Sequence, residues 1–429
     1  MTFESSRGRT FYLIMLCVVL TIGTFLRVPT SVFLGPDAPL RSIASFHPNS
    51  KWAEMERTGM DEALYRQYVS EVIGTGITSY PTIVEHYMEV QRPLTGSILP
   101  PMRFLYIFAA YLWHVLFGSE ALSALKNVAC FFSILTLCIS TAFAWRLKDT
   151  TSAVGVAALM AFAPTQIHMS QHALVDGFFT FWALLCLWAL WENLRAPKNR
   201  YWLGVYVAAL SLLVLTKENA FFVFIGIVVI IALNRWLQIG TVTRELLIAT
   251  CLGPLLGVVV LVLLAGGIDV LLAAYRLSVS KNYELPYAIL TGDGPWHRYF
   301  VDILLVSPVI LILATGTVFG LDRTRKPEIF CAVFIAISYL IMCNIRYAMN
   351  LRYANMWDMP LRFLAFAQVT LLAARFHRYQ MMILWGVIGL ICAVELRQYI
   401  VLFVQYPLYE LVPEGLLRAL HILKTASGR

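Results

Sequence analysis

The sequence predicts an all-α polytopic membrane protein, and three observations support this fold class. Of its 429 residues, 59% are hydrophobic and 14% are charged, and the mean hydropathy is +0.71. Apolar runs recur along most of the chain, and the short loops between them carry Lys and Arg. A soluble domain has a larger charged fraction. The net charge of +8 is explained by basic cytoplasmic loops, so it does not indicate a nucleic-acid partner.

Apolar runs long enough to cross about 30 Å of hydrocarbon predict eleven transmembrane spans. They lie near residues 11–28, 122–145, 152–170, 177–194, 201–216, 220–234, 246–265, 299–320, 328–344, 360–375 and 380–398. If the N-terminus is cytoplasmic, every short cytoplasmic loop is basic, from Arg146 and Lys148 to Arg375 and Arg378. This distribution of charge therefore favours a cytoplasmic N-terminus.

The spans organise the chain as one transmembrane domain, residues 1–429, with three outer segments. These are a first outer loop at 29–121, a second outer loop at 266–298 and a C-terminal tail at 399–429. Residues 104–117 are apolar but too short to span a membrane. We expect them to form a juxtamembrane helix of the first outer loop, lying in the interface where Trp and Tyr are favoured.

The predicted outer face collects the unusual polar residues. Asp61 and Glu62 lie in the first outer loop, and Asp176 and Lys217 lie at the outer ends of spans. Ionisable groups at membrane depth are costly and are usually functional. Further candidates on this face are His172, Arg276, Lys281, Tyr283, Arg346, Arg352 and Tyr353. Acids and bases from several segments on one side predict a pocket at the boundary between membrane and water.

The order of these motifs resembles a known superfamily. An Asp-Glu pair followed by Tyr65 precedes Pro100-Pro101 and the short apolar helix, and Ser170-Gln-His-Ala-Leu-Val-Asp176 and Thr216-Lys217-Glu218 follow. This order is similar to that of the GT-C glycosyltransferases, in the branch of protein O-mannosyltransferases and ArnT-like lipid A aminoarabinose transferases. It covers about residues 10–235; beyond them the resemblance rests on the span pattern and Asn350-Leu-Arg352-Tyr353. Relatives often carry Arg at the position of Gln171, which is a departure.

The resemblance implies a GT-C fold and a polyprenyl-phosphate-sugar-dependent hexosyl or pentosyl transferase. The enzyme would lie in the bacterial plasma (inner) membrane with its active site on the outer face. Its partners would be the lipid-linked donor, membrane lipids and a glycan, lipid or protein acceptor. Such transfer needs a base for the acceptor hydroxyl and cations for the departing phosphate.

The residues suggest how these roles are divided. Asp61 is the predicted base, with Glu62 and Asp176 as further catalytic candidates. Lys217, Arg276, Lys281, Arg346 and Arg352 form the pool of donor phosphate ligands. The substrate-binding candidates are Tyr65, His172, Tyr283 and Tyr353. Because the sequence offers no obvious second nucleophile, we expect a single displacement that inverts the anomeric configuration of the sugar.

Several of these residues also have a structural interpretation that needs no catalytic role. Asp61 would be the N-cap of a helix, and Glu62 in its first turn would favour the macrodipole. Tyr65 would pack, and Arg352 would pair with Asp358. His168, His172 and Asp176 would share one helical face if the helix is continuous, a spacing that suits zinc. Relatives of the oligosaccharyltransferase type carry an acid–x–acid metal-binding motif at this position, whereas Gly177 and Phe178 follow Asp176 here. We therefore expect no required metal ion, with a bound divalent ion as the alternative.

A transporter or flippase of lipid-linked glycan precursors is the alternative function. A transporter would place broken helices and ionisable residues near the membrane midplane, often in two related halves. In this sequence the ionisable residues gather instead at one face and in the long outer loops. The enzyme is therefore the favoured interpretation.

Overall fold

The computed structural model describes residues 6–28, 59–285, 292, 294–345, 349–406, 408–412 and 414–421. Within these ranges the regular elements are helices and no strand occurs. The α-helices, in chain order, are α1 Ser6–Arg27, α2 Met60–Thr75, α3 Tyr80–Gln91, α4 Phe104–Phe117, α5 Ala121–Leu147, α6 Thr150–Ala161, α7 Pro164–Gln171, α8 Val175–Arg195, α9 Arg200–Val214, α10 Ala220–Leu237, α11 Arg244–Ala265, α12 Ile268–Asn282, α13 Arg298–Val306, α14 Pro308–Phe319, α15 Lys326–Met342, α16 Asp358–Ala374, α17 Gln380–Tyr399 and α18 Glu414–Ala419.

The prediction of an all-α integral membrane protein is confirmed. Among the described residues, six helices are long and apolar enough to cross a membrane, and there are seven if the bent pair of α6 and α7 counts as one span. Shorter apolar helices include α4, α9 and α14. Each predicted span coincides with helix, but two are divided, α6 from α7 and α13 from α14. The total of eleven spans stays a prediction.

Proline causes both divisions. Pro164 and Pro308 each begin a helix, where the missing N–H costs nothing, and each disfavours helical geometry in the residue before it. Ala163 accordingly has an extended backbone, with φ −63° and ψ 114°. The axis turns by 56° between α6 and α7. This bend interrupts the hydrogen-bond ladder and exposes carbonyl groups of α6 inside the protein.

Two buried arginines satisfy those carbonyls. Arg27 donates from Nη2 to the Met160 carbonyl at 2.7 Å and from Nη1 to the Ala161 carbonyl at 3.1 Å. Arg362 donates from Nε to the Leu159 carbonyl at 3.0 Å. Unsatisfied backbone groups at membrane depth cost several kcal/mol. The guanidinium groups therefore stabilise the bend.

Arg362 also carries an ionic network that reaches the second division. It pairs with Asp358 and Glu395, each at 2.7 Å, and Ser307 donates to Glu395 at 2.9 Å. Ser307 directly precedes Pro308. The network thus connects the two divided spans through α16 and α17.

A second layer of helices covers one end of this bundle. Helices α2, α3 and α4 pack together and against α5, α11 and α12. Their contact is a separate apolar core in which Tyr65, Val69, Tyr106 and Ile107 are fully buried. The layer belongs to the predicted first outer loop, and α4 has the bounds expected for its short apolar helix.

The chain after α17 returns to the same end of the bundle. A π-helical turn, Ile400–Gln405, extends α17, and an irregular segment at 408–412 packs against Gly59, the N-cap of α2, before α18 begins. Leu411 and Val412 are buried. The predicted C-terminal tail thus contributes to the packed body of the protein.

Removing Arg362 should strongly destabilise the fold. In Arg362→Ala, Asp358 and Glu395 lose their counter-charge, and the Leu159 carbonyl loses a donor. We expect a loss of about 3 kcal/mol in unfolding free energy, seen as a lower melting temperature in detergent. Arg375→Ala is the control, because Arg375 is exposed just after the same helix. Equal melting of both variants would contradict a structural role for the network.

Candidate active site

A cavity of about 450 Å³ lies at the end of the bundle covered by α2 and α4. Among the described residues, its charged lining consists of three carboxylates and three cations, and one wall is apolar, with Phe221, Phe222 and Leu285. The charged residues are Asp61, Arg103, Asp176, Lys217, Glu218 and Arg352. Polar groups converging in a partly apolar pocket are typical of a ligand site.

The N-cap of α2 is Gly59, so the interpretation of Asp61 as the N-cap is wrong; Asp61 lies in the first turn, where the helix dipole favours a carboxylate. Its Oδ2 accepts from Nη1 of Arg352 at 3.1 Å, and its side chain is 30% exposed. Arg352 is buried in a 3₁₀ helix, Leu351–Trp357, whose N-terminus is capped by Asn350. The interpretation that Arg352 pairs with Asp358 is therefore wrong, because Asp358 pairs with Arg362.

Glu62 is fully buried behind Asp61 and fastens α2 to the bundle. Its carboxylate accepts from the backbone N–H of Ala173 at 2.6 Å and of Gly59 at 2.8 Å. The His172 imidazole lies 3.5 Å from it. Burial alone would raise the pKa of Glu62, but the interactions with His172 and the two N–H groups hold it below its ordinary value. Glu62 does not line the cavity, so its geometry favours the structural interpretation.

Asp176 and Lys217 form a buried ion pair beside the cavity. Asp176 lies in the first turn of α8, and Lys217 lies in the turn between α9 and α10. The Lys217 Nζ is 2.5 Å from Asp176 Oδ1 and 3.9 Å from the centre of the Tyr353 ring. Burial lowers the pKa of Lys217 to about 8, although the Asp176 carboxylate acts in the opposite direction.

Arg103 and Glu218 form a third pair, which sequence reasoning missed as part of the site. Arg103 donates to both carboxylate oxygens of Glu218, at 3.2 and 2.5 Å, and to the Tyr65 hydroxyl at 2.6 Å. This places Tyr65 behind the cavity as a support for Arg103. A signal was available, since an Arg directly before an apolar juxtamembrane helix is costly unless paired.

The other predicted residues are distributed unevenly. Tyr283 and Tyr353 line the cavity, and His172 lies behind Glu62. Arg276 and Lys281, on α12, do not line it. Arg276 is exposed and Lys281 pairs with Glu284. Arg346 lies outside the described residues.

The geometry does not suit a metal ion held by the predicted histidines. Helix α7 ends at Gln171 and α8 begins at Val175, so the helix is not continuous as a shared face would require. His168 contacts the Tyr409 carbonyl, and Asp176 contacts Lys217. Within the described ranges, no group of three metal-ligating side chains comes together. The carboxylates of the cavity are balanced instead by Arg and Lys.

Comparisons with known proteins identify the architecture. Residues 99–280 match the family model of dolichyl-phosphate-mannose-protein mannosyltransferases. The structure is similar to apo ArnT from Cupriavidus metallidurans, with 15% identity and a TM-score of 0.53, covering 87% of this chain and 62% of that one. It is also similar to the apo oligosaccharyltransferase of Archaeoglobus fulgidus, with 12% identity and a TM-score of 0.62, covering 96% and 57%. No curated protein sequence matches the chain.

The chain has the GT-C glycosyltransferase fold. The resemblance noted in the sequence is thus confirmed. The chain spans about three fifths of the length of these structures. Another structure of the same ArnT contains undecaprenyl phosphate, with a TM-score of 0.53 and 14% identity over 88% of this chain and 63% of that one. The family match includes Arg103, Asp176, Lys217 and Glu218 but ends before Arg352 and begins after Asp61.

Glu62→Ala should destabilise this GT-C domain. The change leaves the buried N–H of Ala173 without an acceptor and detaches α2 from the bundle. We expect a loss of about 2 kcal/mol, measured as a fall in melting temperature in detergent. Gln67→Ala, an exposed position of the same helix, is the control. An unchanged melting temperature for Glu62→Ala would argue against the fastening role.

Proposed function

We propose that the protein is a membrane glycosyltransferase that moves a sugar from a polyprenyl-phosphate donor to an acceptor hydroxyl. The observation that carries this proposal is the cavity in which Asp61 lies beside Arg352, Lys217 and Arg103. A base and several cations in one partly buried pocket are what transfer from a phosphate leaving group requires. The GT-C fold and the family match support the same class of reaction.

The cations of the cavity would hold the donor phosphate. Arg352 and Lys217 are the main ligands in this proposal, because both line the cavity and both are buried. Arg suits two-point contact with phosphate oxygens, and Lys supplies a compact charge. Arg103 adds positive charge nearby, and it is one of the groups that disfavour protonation of Lys217. Arg276 and Lys281 have no role here, since neither reaches the cavity.

Asp61 would act as the base. Its carboxylate takes the proton of the acceptor hydroxyl as that oxygen forms a bond to the anomeric carbon of the sugar. The bond between the anomeric carbon and the phosphate oxygen breaks, and its electron pair leaves with the polyprenyl phosphate. A single displacement inverts the anomeric configuration. Asp176 would keep Lys217 in place, and Tyr353 and Tyr283 would contact the sugar from the cavity wall.

We place this site at the outer face of a bacterial plasma membrane, with the N-terminus in the cytoplasm. The basic residues of the short loops support this orientation. A glycan, a lipid or a protein fits the acceptor chemistry, since each carries a hydroxyl group. The apolar wall at Phe221 and Phe222 faces the cavity from the start of a span and suits the first units of a polyprenyl chain.

Asp61→Asn should abolish transfer while the protein still folds. Asn keeps the size of the side chain and a hydrogen-bond acceptor for Arg352, but it is no base. The measurement is transfer of labelled sugar from a polyprenyl monophosphate donor to a membrane extract, with purified protein in detergent. We expect at least about a hundredfold lower rate. Normal turnover by Asp61→Asn would overturn the assignment of the base.

Asp269→Asn is the matched control for that experiment. Asp269 is also an acid in the first turn of an extramembrane helix, α12, and it is exposed. Its variant should transfer sugar at the normal rate. If the wild type incorporates no label with any donor but copurifies with lipid, the transporter interpretation gains support.

Donor binding should weaken as pH rises above about 8. Because the pKa of Lys217 is lowered to about 8, its ammonium group loses its proton in this range and its attraction for phosphate is lost. The donor KM should therefore rise severalfold between about pH 7 and pH 9. The variant Lys217→Arg stays charged and should show a flatter profile. Parallel profiles for wild type and variant would rule out Lys217 as the titrating group.

A further inference from the structure

The segment after the last span places a fourth carboxylate beside the cavity. Glu410 accepts a hydrogen bond from Nδ2 of Asn350 at 2.9 Å, and its Oε2 lies 3.6 Å from Nε of Arg352. The side chain of Glu410 is 29% exposed. Arg352 thus has an acid on two sides: Asp61 accepts a hydrogen bond from Nη1, and Glu410 forms an ion pair at a distance too long for a hydrogen bond from Nε.

The neighbouring Tyr409 packs this segment against α7, the turn that follows α7, and Gly59, the N-cap of α2. Its carbonyl lies 2.9 Å from Nε2 of His168, and its ring packs edge-on against His172 at 5.4 Å. The ring also lies directly on Gly59, where an added Cβ would be only 2.1 Å from it. Glycine at this position therefore permits the close approach. Glu410 is consequently positioned by packing on the same turn that carries Asp61.

The charges around Arg352 determine what Glu410 does. Asp61, Asp176 and Glu410 face it as acids, and Lys217 and Arg103 are the cations nearby. Burial lowers the pKa of Arg352, but Glu410 and Asp61 outweigh burial and raise it well above its ordinary value. The Glu410 carboxylate lies on the Nε side of the guanidinium group, while Nη1 donates to Asp61. It also reduces the net positive charge available to an anionic ligand.

We propose that Glu410 is a positioning residue of the active site, which orients Arg352 and competes electrostatically with the donor phosphate. This inference rests on the proposed function, because it takes Arg352 as a phosphate ligand. The C-terminal tail is then a part of the site. Glu410 lies far beyond the family match at 99–280, so it extends the site past the matched region.

Two substitutions separate charge from position. Glu410→Gln keeps the size and a hydrogen-bond acceptor but removes the charge, so undecaprenyl phosphate should bind about threefold to tenfold more tightly. Glu410→Ala also frees the guanidinium group to rotate, so kcat should fall on the order of tenfold. Binding is measured with undecaprenyl phosphate and purified protein in detergent, and kcat and donor KM are measured by sugar transfer.

The controls distinguish a positioning role from a structural one. Glu284→Gln removes an exposed acid near the cavity and should change neither affinity nor kcat. Glu410→Asp keeps the charge and should bind undecaprenyl phosphate nearly as the wild type does. A merely structural Glu410 would lower the melting temperature without separating KM from kcat.

The outcomes also separate this inference from the proposed function. If the wild type binds undecaprenyl phosphate and Glu410→Gln binds it equally, the role of Glu410 is overturned and the proposed function stands. If the wild type binds no undecaprenyl phosphate and transfers no sugar, the proposed function fails and the inference fails with it. Tighter binding by Glu410→Gln with a lower kcat in Glu410→Ala would support both.

Discussion

The packing of the helix bundle depends on hydrogen bonds to three carbonyl groups at the break between α6 and α7. Where Pro164 begins a new helix, Leu159 and Ala161 lose their helical partners and Met160 keeps a bond of 3.3 Å from the N–H of Ala163; Arg27 and Arg362 donate to these carbonyls. In an apolar interior an unsatisfied carbonyl and an unpaired guanidinium are each costly. Here the guanidinium groups donate to the carbonyls, so both kinds of group are satisfied. Asp358 and Glu395 neutralise the charge of Arg362.

The break determines where the site can form. Because α7 leaves the axis of α6 by 56°, the chain ends α7 at Gln171 and presents the N–H of Ala173 to Glu62 before α8 starts. That hydrogen bond fixes the first turn of α2, which carries Asp61. The start of α8 places Asp176 against Lys217. The break between α6 and α7 therefore positions Asp61 and Asp176, two of the acids that line the cavity.

Most of the fold was predictable because apolar length and Lys/Arg placement are strong signals in a membrane protein. The placement of Asp176, Lys217 and Arg352 on one face was predictable for the same reason, since each follows or precedes an apolar run. Asp61 was placed there because it lies in the long loop on that same face. Arg103 and Glu410 were missed, because their partners lie 115 and 58 residues away, at Glu218 and Arg352. The two helix breaks were also missed. The residues around Pro164 and Pro308 are apolar on both sides, so the apolar pattern alone does not show that the helix ends and a new one begins.

Each cation that lines the cavity in the described part of the chain pairs with an acid, and this pairing has a mechanistic consequence. A buried Arg or Lys without a counter-charge would destabilise the empty site, so Asp61 and Asp176 stabilise Arg352 and Lys217 until a ligand arrives. In the proposed reaction the donor phosphate takes over part of that attraction, and the carboxylate of Asp61 becomes freer to accept a proton. Donor binding would then prepare the base. The charge of Glu410 keeps Arg352 oriented while this exchange occurs, which explains why a fourth acid lies beside three cations.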